Sequence, residues 1–196
     1  MVSMKNYKLF RWFYTSSGKL VVGGKNAEQN DELLKEITNS SKNYFVMHTS
    51  HPGSPFSVII SDMLKVTKKD FKECAIFTGC FSRAWKERKK KTEVHLFNSE
   101  NLSKKRGMKT GTWGVSAKIS EIKVDLELVL VKQKNVYRAV PEISTKKSEI
   151  LLKICPGNVD KSKSLDRFKK ELKDGELDRD EILSALPAGG VRICKK

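Results

Sequence analysis

Nothing in this 196-residue sequence is apolar for long enough to cross a membrane as a helix; its greasiest stretches fall far short of the ~18 consecutive residues a bilayer demands. Histidine is scarce. With only His48, His51 and His95 in the chain, no three imidazoles stand at metal-ligand spacing, and no metal site is expected. The four cysteines, Cys74, Cys80, Cys155 and Cys194, lack the Cys-x-x-Cys pairing of a zinc site or redox motif. Residues 1–8 contain no apolar signal core, so the cysteines are expected to be reduced and mostly buried, in a soluble, cytoplasmic protein. No order of Ser, His, Asp or Cys specifies a catalytic triad, and neither glycine fingerprint for nucleotide phosphates occurs. No catalytic residue and no cofactor are therefore expected.

Negative charge is also in short supply. Lys and Arg number 39 against 23 Asp and Glu, a formal charge of +16 with a sequence pI near 9.7. Where lysine merely decorates a surface, glutamate usually rises with it, and here it does not. A polyanion is the leading partner. The charge is concentrated: residues 83–109 hold ten Lys or Arg and three Glu. Such a segment can neutralise several phosphates.

The local patterns give an α/β (α+β) protein with a mixed, largely antiparallel sheet, two packed helices and a small helical C-terminal extension. Residues 9–15 and 20–22 form a hairpin about the turn 16–19, ending in Gly23-Gly24. Asn26 caps a helix over 27–37, with Gln29 in a capping-box-like position and Leu33, Leu34 and Ile37 on its buried side. Residues 44–48 and 56–60 form a second hairpin around a type II turn at Pro52-Gly53. One long amphipathic helix is expected from 68 to about 88. Strands follow at 92–97, 112–119, 124–131 and 136–140, with a polar basic loop over 98–111. Beyond Pro141 come a strand at 150–154, a Pro156-Gly157 break, helices at 165–173 and 179–186, and a last strand containing Val191, Ile193 and Cys194. Domain limits of 1–141 and 142–196 follow, the second packing on the first as a strand-helix-helix extension.

Several groups could meet RNA. Gly23-Gly24 leads into a capped helix, bringing backbone N–H groups and the positive dipole end, with Lys25, Asn26 and Asn30, near any docked phosphate. His48, His51 and Ser54 on the second hairpin could donate to phosphate or to a ribose hydroxyl. Arg11 and Trp12 interleave a cation and an aromatic, and Trp12 with Tyr14 could face outward to stack bases. Arg88, Lys89, Lys90 and Lys91 form the densest basic run, and Lys104, Lys105, Arg106 and Lys109 extend it along the loop. Trp85 and Trp113 are expected to pack. Changing Lys89, Lys90 and Lys91 together to Glu is expected to weaken RNA binding greatly with folding nearly intact.

Taken together, residues 11–18, 20–30 and 48–55 resemble the NFACT-R domain, with Ala84-Trp85, Ser103-Lys104-Lys105 and Gly111-Thr112-Trp113 similar to its later blocks. The resemblance spans residues 8–131. In full-length members this domain follows an NFACT-N domain, a helix-hairpin-helix module and a coiled coil, and the whole engages tRNA and the large ribosomal subunit in ribosome quality control. The resemblance implies a stand-alone NFACT-R protein that binds tRNA or ribosomal RNA without catalysis. The Leu186-Pro187-Ala188-Gly189-Gly190 stretch is similar to a closing turn of small prokaryotic, particularly archaeal, members. Two alternatives remain open: an RNA-processing or RNA-modifying enzyme using His48 or His51 as acid or base, and a module docking on an acidic ribosomal or quality-control protein. DNA is not excluded as a ligand.

Overall fold

The computed structural model describes residues 6–172 and 178–194. The reading of residues 1–5, and of Lys173 as a helix end, lies outside them. β1 (Arg11–Tyr14) and β2 (Leu20–Gly23) form the first hairpin, with Trp12 opposite Val22. Its turn is bolted to the interior by two buried carboxylates. Asp70 accepts from the hydroxyls of Thr15 (2.7 Å) and Ser17, and Glu73 accepts from the Ser16 N–H and hydroxyl at 2.8 and 2.6 Å.

α1 (Ala27–Thr38) starts where expected. Asn26 Oδ1 accepts from the Gln29 N–H at 2.9 Å, and Gln29 Oε1 accepts from the Lys25 N–H at 3.0 Å, one residue ahead of a regular capping box. β3 (Phe45–Thr49) and β4 (Ser57–Ile60) pair antiparallel, but residues 50–56 between them form a loop rather than a tight turn. The long helix expected over 68–88 is two: α2 (Lys68–Cys80) and α3 (Arg83–Lys86). Ser82 divides them. Its hydroxyl donates to Gly79 O (2.7 Å), closing the first helix, and accepts from the Ala84 N–H (3.1 Å), opening the second.

β5 (Lys91–Asn98) joins the main sheet, while β6 (Leu102–Ser103) and β7 (Gly114–Val115) form a small separate ribbon. The strand expected at 112–119 thus shrinks to a two-residue pairing. The run expected at 124–131 is broken at Leu126-Glu127, where the chain leaves one sheet for the other: β8 (Ser120–Asp125) belongs to the first and β9 (Leu128–Gln133) to the second. β10 (Val136–Val140) pairs with β9 as a hairpin. β11 (Leu152–Asp160) runs straight through the expected Pro156-Gly157 break. A bulge places Pro156 and Val159 both opposite Val191, the kind of position that tolerates proline within a sheet. α4 (Leu165–Leu172), α5 (Arg179–Ala185) and β12 (Gly190–Cys194) complete the fold.

The order in the larger sheet is β1-β2-β4-β3-β5-β8 and in the smaller one β10-β9-β11-β12, all neighbours antiparallel. The α+β class stands, with two principal sheets in place of one. Strand alternation builds two cores. Phe13, Val21, Met47, Ile59, Val94 and Leu96 face α2 and the smaller sheet. Val22, Val46 and Val58 face the other way and are covered by Leu33, Leu34 and Ile37 of α1. Each of these fully buried side chains contributes about 2 kcal/mol of apolar transfer.

The edge of the larger sheet meets the smaller one through a side chain. Gln133 Oε1 accepts from the Tyr14 N–H at 2.8 Å and its Nε2 donates to Tyr14 O at 3.0 Å, as a neighbouring strand would. Two expectations fail nearby. Trp12 is buried, with Tyr7 edge-on to its ring and the Arg138 guanidinium 4.3 Å above it, so it offers no face to a base. Cys155 and Cys194 form a disulfide, although Cys74 and Cys80 are free and buried as expected. The β11/β12 register sets Cys155 opposite Arg192 and Lys153 opposite Cys194, making the cysteines diagonal neighbours with Cα atoms 6.3 Å apart. Their 39-residue separation in sequence carries no sign of that.

Candidate nucleic-acid interface

α1 covers only part of its sheet face. Beyond its N-terminus the same face continues as His48, Phe97 and His95, and above them opens a groove of about 1000 Å³. One wall is the β2–α1 junction, another the loop 50–56 with α3, and a third the segment 110–118.

The β2–α1 wall is shaped by contact. A Cβ on Gly24 would lie 2.3 Å from Asn30 Oδ1, so only glycine lets the helix sit this close. Asn30 is itself buried, its Oδ1 accepting from the Phe56 N–H at 3.1 Å and tying α1 to the second wall. That loop is braced internally, with Ser54 Oγ accepting from the Thr49 N–H and Thr49 Oγ1 donating to His51 O. It docks on α3 through Gly53, whose φ is +101° and whose carbonyl accepts from the Arg83 N–H at 2.7 Å.

The third wall hangs from one carboxylate. Asp31 Oδ1 accepts from Lys104 Nζ (3.0 Å), the Gly111 N–H (3.0 Å) and Trp113 Nε1 (2.8 Å). Burial pushes its pKa up, but the three donors outweigh that and hold it below the ordinary value. Lys104 also donates to the carbonyls of Lys109 and Thr112, which makes it a strut of the loop rather than a free phosphate contact.

Among the described residues, five cationic side chains line the groove, Arg11, Lys25, Arg83, Lys86 and Lys118, and no Asp or Glu does. Lys118 is paired with Glu121. Among the described residues, the other four have no carboxylate at ion-pair distance. His48 stacks on Phe56 with ring centroids 4.4 Å apart, and its Nδ1–H donates to Thr49 O at 2.7 Å. Burial, together with the neighbouring His95, lowers its pKa, so the ring is neutral near pH 7 with Nε2 left as an acceptor. It can take a hydrogen bond from a hydroxyl but cannot neutralise a phosphate.

The expected site residues thus divide. Arg11, Gly24, Lys25, Asn26, Asn30, His48 and Ser54 all line the groove. Gly23 is buried in β2, and His51 is exposed on the loop. Arg88, Lys89, Lys90 and Lys91 are exposed on the connection from α3 into β5, where Lys89 pairs with Glu87, Lys91 with Asp125, and Arg88 donates to Asn158. Lys105, Arg106 and Lys109 are exposed on the loop that Lys104 holds. Arg83 and Lys86 were not singled out, because they sit on a helix that begins at Ser82; the Ser82 cap was the available signal. Sequence spacing also missed Glu93, His95 and Glu121, whose donor atoms come within 4.8 Å of one another across β5 and β8. His95 Nε2 lies 3.4 and 3.5 Å from the two carboxylates, and Lys118 already holds Glu121.

Residues 9–117 match the family model of the NFACT protein RNA binding domain. The chain is 28% identical over 213 aligned positions to the archaeal Rqc2 homolog aRqcH of Methanocaldococcus jannaschii, covering 98% of this chain and 30% of that protein. It therefore spans less than a third of that relative. Among solved structures, the C-terminal part of the fibronectin/fibrinogen-binding protein from Streptococcus suis shares the fold, with a TM-score of 0.52 and 22% identity over 59% of this chain and 44% of that one.

Proposed function

Because the chain belongs to the NFACT protein RNA binding domain family, we propose that it binds RNA in the groove between α1, α3 and the 110–118 segment, as a non-catalytic component of ribosome-associated quality control. The observation that carries this reading is the groove itself: four cations without carboxylate partners among the described residues, on walls built from the segments that match the family. The likeness to an archaeal Rqc2 homolog supports the link to quality control. Transfer RNA or ribosomal RNA, in a cytoplasmic setting and with the large ribosomal subunit as its context, is the ligand that fits. Among the described residues, no helix is long and apolar enough to cross a membrane.

The chemistry favours holding RNA over cutting it. Arg11, Lys25, Arg83 and Lys86 supply the phosphate contacts, and the neutral His48 can accept from a ribose 2′-hydroxyl. As a catalytic group the neutral His48 could serve as a base but not as a general acid, since burial works against the protonated ring an acid needs.

Filter binding of pure protein to tRNA and to ribosomal subunits across a salt series tests the proposal. Affinity should fall steeply as salt rises, and Arg83→Glu with Lys86→Glu should flatten that slope by about two. No retention of either RNA at low salt would sink the reading. Retention of duplex DNA as strong as that of tRNA would remove the RNA preference, and shortening of labelled tRNA by pure protein would restore the enzyme alternative.

A further inference from the structure

A second, smaller cavity adjoins the groove and shares Arg11 and Lys25 with it. It lies where β1 meets β10 and α5, and its free volume of about 30 Å³ would hold roughly two waters. The polar side chains among its lining residues are mostly donors, Arg11, Arg138, Lys8, Lys25 and Trp12, while the Ser184 hydroxyl can also accept. Among the described residues, no Asp or Glu lines it.

Two of these donors are unused. Among the described residues, Trp12 Nε1 and Arg138 Nε are buried without a hydrogen-bond partner, and the Trp12 side chain is 1% exposed. Unpaired buried donors of this kind leave the surroundings of the cavity short of acceptors. Among the described residues, none of Arg11, Lys25 and Arg138 has a carboxylate at ion-pair distance. The Arg138 guanidinium lies over the Trp12 ring and Arg11 lies 5.3 Å over the Phe81 ring, its one donor contact being to Gly24 O. The nearest carboxylate influence on Arg138 is Glu181, which is engaged by the Tyr137 N–H and is not in the lining. Burial lowers the pKa of Arg11 to about 10, and burial, with the neighbouring Arg11 and Arg138 charges, lowers that of Lys25.

We propose that this cavity is an oxyanion site that takes a phosphate group, its oxygens accepting from the Arg11 and Arg138 guanidinium groups and from Lys25 Nζ. The phosphate is either the terminal monoester of an RNA lying in the adjoining groove, which rests on the RNA reading above, or free inorganic phosphate. A terminal monoester suits the place better than a backbone diester, since a cavity this small admits one phosphoryl head and no chain beyond it.

The full chain serves for the test, with inorganic phosphate and a pair of short single-stranded RNAs that differ only in a 5′-phosphate. At constant ionic strength, 10 mM phosphate should raise the Tm by about 3 °C over chloride. Arg138→Gln and Lys25→Gln should each weaken phosphate binding about tenfold; Lys25 is exposed, so that variant folds even if the buried one does not. The 5′-phosphorylated RNA should bind about tenfold tighter than its dephosphorylated twin, and Arg138→Gln should erase the difference. Phosphate binding without RNA binding supports the oxyanion site and overturns the RNA groove. RNA binding that ignores both the 5′-phosphate and free phosphate overturns the oxyanion site and leaves the groove standing. A phosphate effect undiminished in both variants overturns the site as well.

Discussion

The molecule carries positive charge in two different ways. On the connection from α3 into β5, four consecutive cations stand exposed, yet two of them are paired with Glu87 and Asp125 and a third reaches Asn158. In the groove, Arg11, Lys25, Arg83 and Lys86 come from three separate parts of the chain and none has a carboxylate partner among the described residues. The density of charge along a chain is therefore a poor guide to where an anion binds. What matters is whether the fold gathers cations around a concave face and keeps carboxylates out of it.

That contrast can be broken or sharpened. The largest effect should follow Asp31→Ala, which strands the Lys104 ammonium and the Trp113 N–H and unpins the 110–118 wall. Urea unfolding should show a loss of about 3 kcal/mol, accompanied by weaker RNA binding; unchanged stability would mean the wall stands without its carboxylate. Next, Arg83→Glu with Lys86→Glu should lower tRNA affinity about 100-fold in filter binding at moderate salt. Changing Lys89, Lys90 and Lys91 together to Glu alters more charge, but with Lys89 and Lys91 already paired the loss should be about tenfold rather than the large one the sequence led to, with the Tm held within a few degrees. If the triple variant loses more than the pair, the exposed run is the true contact and the contrast is inverted. The smallest effect is on pH. Asp31 and Asp70 both have folded-state pKa values below the ordinary one: burial opposes this in each, but for Asp31 it is outweighed by Lys104, Trp113 and Gly111, and for Asp70 by Ser17, Thr67 and Thr15. Their stabilisation is complete above the unfolded value near 4 and is lost as pH falls below it, so Tm from these groups should be flat from about pH 7 to 5 and decline only under more acid conditions.

The sequence disclosed what short-range chemistry decides. Asn26 announced α1, its apolar triad Leu33, Leu34 and Ile37 is buried, and the first hairpin follows from alternation about a Ser-Ser-Gly turn. Half of the groove was legible for the same reason, since Gly24 to Asn30 and His48 to Ser54 are contiguous stretches. The remainder depends on partners distant along the chain. Phe81 and Trp85 kept a helical apolar rhythm going across Ser82 and hid the restart that presents Arg83 and Lys86. Trp12 lies on one of two alternating faces, and which face is covered was decided by Arg138, more than a hundred residues later. Residues 112–119 looked extended because Thr112 and Trp113 favour strands, while the course of this wall is set by Asp31 on α1. The Cys155–Cys194 link likewise needed the β11/β12 register, which no spacing rule supplies.

A border strand is an invitation to other chains, because its free N–H and C=O groups will pair with any extended segment that drifts by. At Tyr14 that invitation is withdrawn by the amide of Gln133, which answers both backbone groups at once. The same two bonds join the β1 border to the hairpin of the smaller sheet, so guarding the first sheet against strangers and orienting the second are one task performed by a single side chain.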